Sequence, residues 1–113
     1  IIIHMKRLSI ILGLLFVASV GFGQTKKAKI MTTAQCNMCK KTIEKAVNSM
    51  EGIEMAELDV TSKKLHVKFN SDKLDLQAIR EKVASVGYQA DDVKAKEEAY
   101  NALPPCCQLG GHD

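Results

Sequence analysis

"CKKTIEKAVNSMEGIEMAELDVTSKKLHVKF", residues 39–69, changes its hydrophobic period once, and that change sets the fold. In its first part Cys39, Ile43, Ala46, Val47 and Met50 recur at intervals of three and four, which places them on one face of a helix. Asn37 can cap that helix and Gly52 follows its end. In "KLHVKF" the period falls to two, with Leu65, Val67 and Phe69 on one side and Lys64, His66 and Lys68 on the other, the signature of a half-buried strand. "IEMAELDV" before it reads as a partner strand, and "TSKK" between them as the hairpin turn.

Working outward, "KAKIMT" (27–32) reads as a short first strand. After "NSDKLD", Asp75 is placed to cap a second helix whose apolar positions Leu76, Ile79, Val83 and Val86 run to Gly87. "YQADDV" (88–93) is the last strand candidate. The order β-α-β-β-α-β predicts an α+β, ferredoxin-like sandwich, with two helices on one face of a four-stranded antiparallel sheet. The other sheet face meets solvent, which accounts for the polar alternates of the third strand.

The ends read differently. Met5, Lys6 and Arg7 precede "LSIILGLLFVASV" and the small residues Gly21 and Gly23, the pattern of a cleavable export leader over residues 1–23, with "IIIH" before Met5 read as a misassigned start. Losing Lys6 and Arg7 from the sixteen basic side chains leaves 14 against 13 acidic ones, too even a balance for a nucleic-acid binder. The domain is expected over residues 24–95, and export to the periplasm or medium favours disulfides as the default fate of paired thiols. Residues 96–113 form a tail: "KAKEEAYNAL" reads as a short helix, and "PPCCQLGGHD" carries two further cysteines.

The chemistry concentrates at "TTAQCNMCKK", residues 32–41. Cys36 leaves the first strand and Cys39 opens the first helix on its core-facing stripe, so one thiol is expected accessible and the other half-buried. A helix N-terminus, with Lys40 and Lys41 beside it, favours both thiolates. Two sulfurs do not complete a four-ligand zinc site. They suit a soft ion, Cu(I) or, on softness alone, Hg(II).

The stretch "TAQCNMCKKTIEKAVNSMEGIEMAELDVTSKKLHVKFNSDKLDLQAIREKVASVGYQA" resembles the heavy-metal-associated domain of copper chaperones, P-type ATPase N-terminal modules and the periplasmic mercuric-ion binding protein. The resemblance implies that Cys36 and Cys39 are the metal-binding pair of a non-enzymatic carrier. It further implies that Gly87-Tyr88 forms the loop approaching the site, with Tyr88 shaping it, and that the acceptor is a membrane transporter or a metalloenzyme. Where that family usually has Gly-Met-Thr/His before its first cysteine, this chain has Thr33, Ala34 and Gln35.

Two other fates of the pair compete. A thiol-disulfide oxidoreductase also opens a helix with CxxC, but only about a dozen residues separate the leader from Cys36, and Pro104 and Pro105 lie in the tail. A structural disulfide is the other. His66 reads as a solvated strand residue, Met31 as packed in the first strand, Met38 as a loop side chain, and Lys26, Lys27 and Lys29 as a solvated edge.

The tail pair Cys106 and Cys107 is read as candidate additional metal ligands, in cis, across a metal-bridged homodimer, or as a second site, with thiols that act independently of the first pair as the alternative. A last strand directed away from the CxxC loop would end about 20 Å from it. The ten residues from Lys96 to Cys106 would then have to span the gap, at about 33 Å extended or about 15 Å helical.

Overall fold

The computed structural model describes residues 24–109; the leader read at residues 1–23 lies outside the described residues. The elements run β1 (Thr25–Met31), α1 (Asn37–Asn48), β2 (Ile53–Asp59), β3 (Lys64–Asn70), α2 (Leu76–Ser85) and α3 (Glu97–Asn101), followed by a 3-10 turn at Pro105–Cys107. The sheet is antiparallel with strand order β1-β3-β2.

The two periodicities build one core. Leu65, Val67 and Phe69 of β3 point inward with Ile30 of β1 and Leu58 of β2. Cys39, Ile43 and Val47 of α1 and Ile79 and Val83 of α2 close over them, all fully buried. Each buried aliphatic side chain contributes about 1.5–3 kcal/mol. Asp75 caps α2 by accepting the Ala78 N–H at 2.8 Å.

The outer edge of β2 is not left open. Along α1, Lys40, Glu44 and Asn48 stand one turn apart and serve that edge: Glu44 accepts the Leu58 N–H (2.8 Å), Lys40 Nζ donates to the Leu58 carbonyl (2.8 Å), and Asn48 bonds both backbone groups of Ala56 (3.0 and 3.1 Å). Side chains of a helix thus do what another strand would do, and the edge offers no template for pairing with a second chain. Lys40 also bridges Glu44 at 2.7 Å.

The predicted fourth strand does not form, and the sheet has three strands. Ala90 and Val93 exchange two N–H···O bonds of 2.9 Å, closing residues 90–93 into a tight turn that uses up the groups β1 would have paired with. Asp91 takes a positive φ of 52° there, its N–H donates to the Met31 carbonyl (2.8 Å), and its carboxylate accepts from the Met31 N–H and from Arg80 Nε, both at 2.9 Å. Only a single bridge, Thr32 to Ala90, remains of the expected pairing.

This turn redirects the chain. Instead of running to the far pole of the domain, it stays at the end of β1 from which the CxxC loop departs. Lys96 N–H then bonds the Ala84 carbonyl at the end of α2 (2.9 Å), and α3 lies across Gly87.

Candidate metal centre

The loop from β1 to α1 is tied down by its own hydroxyls. Thr32 is buried and donates its side chain to the Lys63 carbonyl (2.9 Å) while accepting the Ala34 N–H (3.2 Å). The Thr33 hydroxyl accepts the Gln89 N–H (3.1 Å), joining this loop to the one that carries Tyr88. Ala34 is fully buried.

Cys36, rather than Asn37, is the N-cap of α1: its backbone is extended and its carbonyl accepts the first helical bond, from Lys40 N–H at 3.1 Å. The first turn of α1 contains no acidic side chain, so nothing within the helix neutralises the positive end of its dipole. Cys39 lies one turn on and is fully buried, while Cys36 is half-buried. Their sulfurs are 3.5 Å apart and both thiols are free. Partial burial raises the Cys36 pKa, but the Cys39 N–H, the Cys39 thiol and the Met38 N–H outweigh it and bring it down to about 7.

The tail completes the surroundings. The turn at Pro105–Cys107, held by Cys107 N–H to the Pro104 carbonyl (2.9 Å), sets the Cys107 sulfur 3.8 Å from that of Cys36. Cys106 Sγ is 4.0 Å from Cys107 Sγ and 3.9 Å from Met38 Sδ. Cys36, Cys106 and Cys107 have sulfurs all within 4.8 Å of one another. Burial, first, and then the neighbouring Cys39 thiol push the Cys107 pKa well up, and the bond to Cys36 raises that of Cys106.

Tyr88 is fully buried and its hydroxyl has no hydrogen-bond partner among the described residues. Burial raises its pKa, and the thiols of Cys107 and Cys39 raise it further. A neutral phenol O–H is thus held beside the sulfurs with its proton unassigned.

The other sequence candidates lie apart from this cluster. His66 is on the outer sheet face, opposite Lys29 of β1 and Glu57 of β2. Met31, expected to pack within its strand, is instead 47% exposed, because it alternates outward next to the buried Ile30.

A heavy-metal-associated domain model matches residues 29–89. The chain belongs to the heavy-metal-associated domain family. A probable copper-exporting P-type ATPase of Archaeoglobus fulgidus is 30% identical over 69 residues, or 61% of this chain; the chain spans only 9% of that relative's length. The Cu(I)-loaded N-terminal domain of a potential copper-translocating P-type ATPase from Bacillus subtilis is 26% identical, with a TM-score of 0.57, covering 60% of this chain and 86% of that one. Oxidized MerP from Ralstonia metallidurans CH34 has the same fold at 22% identity, with a TM-score of 0.58 over 60% of this chain and 96% of its own.

Proposed function

We propose that this protein is an exported carrier of a soft metal ion, Cu(I) foremost, which it captures with Cys36 and Cys39 and passes on by ligand exchange. One observation carries the reading: two free sulfurs 3.5 Å apart, one half-buried and one buried, at the strand-to-helix junction of a heavy-metal-associated domain. The copper-related names of its relatives support Cu(I) as the cargo, and the leader pattern of residues 1–23 supports export.

The donor set fits such an ion. Thiolates prefer Cu(I) over hard cations, and binding displaces the thiol protons, a step that the lowered pKa of Cys36 favours. Release follows the exposure. A thiolate of the acceptor adds to the ion from the Cys36 side, and the bond to a buried sulfur breaks after the new one has formed. The acceptor is a metal-transporting membrane protein or a metalloenzyme.

The test is a competition titration of the reduced chain with Cu(I), Hg(II) and Zn(II) against a chelator, beside the Cys36→Ser/Cys39→Ser variant. Tight Cu(I) binding that disappears in the variant is expected. Preference for Hg(II) over Cu(I) would reassign the cargo, and reduction of insulin disulfides without soft-metal binding would replace the carrier by an oxidoreductase.

A further inference from the structure

We propose that, once Cys36 and Cys39 have captured the ion, Cys106 and Cys107 take it over with Cys36 in cis, in a three-sulfur centre closed by the tail of one chain. The inference rests on the carrier reading above and deepens it.

Geometry is the first support. Sulfurs bound to one metal at about 2.3 Å stand about 4.6 Å apart when two are arranged linearly, and about 4.0 Å apart when three share a plane. The Cys36–Cys107 and Cys106–Cys107 separations are 3.8 and 4.0 Å, and all three sulfurs lie within 4.8 Å of one another. Little movement is needed to seat an ion among them. Cys36 and Cys39, at 3.5 Å, are by contrast too close for a linear pair and would have to open by about 1 Å.

The second support is Tyr88. A buried hydroxyl without a partner is costly and calls for an acceptor. A metal-bound Cys107 thiolate supplies one, to which the phenol O–H can donate, since Tyr88 and Cys107 are buried in the same core. The bound thiolate would then satisfy the Tyr88 hydroxyl. The balance is one Cu(I) ion in and three thiol protons out, with no change of oxidation state.

The tail is also built to be there. Lys96 is bonded to Ala84, α3 packs on Gly87, the Gln108 side chain bonds the Leu103 carbonyl (3.1 Å), and Leu109 N–H bonds the Tyr100 hydroxyl (2.9 Å). Cys107 is buried in the main core while Cys106 stays half-buried at the open side. Cys106 and Cys36 are therefore the sulfurs an incoming thiolate can replace, and Cys107 is the one that keeps the ion until the exchange is complete.

The experiment is X-ray absorption at the copper edge on the reduced, Cu(I)-loaded chain, with chelator competition and sedimentation, repeated on Cys106→Ser/Cys107→Ser. Three sulfurs per copper in a monomer are expected. The variant should show two sulfurs and an affinity at least tenfold lower, with one ion per chain in both. Two sulfurs in the unaltered chain would overturn the tail ligands while leaving the carrier reading intact, as would an unchanged affinity in the variant. Copper-dependent dimerisation would overturn ligation in cis, and failure of the unaltered chain to bind Cu(I) would overturn the carrier reading itself. The sulfur count of the unaltered chain decides the matter even if the variant folds poorly.

Discussion

Cys36→Ser is expected to lower Cu(I) affinity by about 100- to 1000-fold, more than serine at any other single cysteine. A four-ligand thiolate or imidazole site gains about 10–16 kcal/mol from its metal, so each ligand accounts for about 2.5–4 kcal/mol, and each 1.4 kcal/mol is tenfold. Cys36 is singled out by position. Its sulfur is 3.5 Å from Cys39 and 3.8 Å from Cys107, so it belongs both to the CxxC pair and to the three-sulfur set. Its pKa, lowered to about 7, also favours the thiolate that a metal takes. Dissociation constants of the four single serine variants, measured by chelator competition at one pH, check the ranking; a larger loss for any other cysteine contradicts it.

Gly87→Ala is expected to destabilise the domain by about 2–3 kcal/mol, lowering its melting temperature by roughly 10 °C or more. Gly87 has a φ of +106°, where a side chain is strained, and an added Cβ would stand 2.9 Å from the Ala99 carbonyl oxygen and 3.1 Å from Leu103. The Leu103 side chain can turn aside; the backbone of α3 cannot without moving the helix. The tail should therefore loosen first. Amide exchange at Lys96, Tyr100, Leu103 and Cys107 should accelerate more than at Ile30 or Val67 in the sheet. Unchanged exchange in the tail would mean that Gly87 does not seat it.

What the sequence made legible were the elements whose hydrophobic period is long and clean. The period-two run of β3, the 3.6-period faces of α1 and α2 and the Asp75 cap are local facts, each decided by residues within a few positions. The fourth strand was misread because its fate is settled at a distance. "YQADDV" has an ordinary strand composition, but Asp91 reaches Met31 and Arg80, and the turn it makes there outcompetes pairing with β1. The same holds for the edge of β2: Lys40, Glu44 and Asn48 look like any solvated helix face until the strand beside them is known.

Within the site, the spacing of Cys36 and Cys39 at the head of a helix was readable. The place of Cys107 was readable only as one option among several, because the distance it had to cover was reckoned from a strand that does not form. With the turn at residues 90–93 the tail starts beside the loop, and a short helix and a Pro-Pro turn bring Cys107 to Cys36 across 71 positions of sequence. The orphaned hydroxyl of Tyr88 also had no sequence signal, since burial of a tyrosine is a property of its neighbours.

The most direct measurement is an amide chemical-shift map of the reduced chain as one equivalent of Cu(I) is added. The predicted result is a set of changes confined to residues 33–40, 87–90 and 104–108, saturating at one ion per chain. Changes centred instead on the outer sheet face, around Lys29, Met55 and His66, would contradict the assignment of the metal centre to the cysteine cluster.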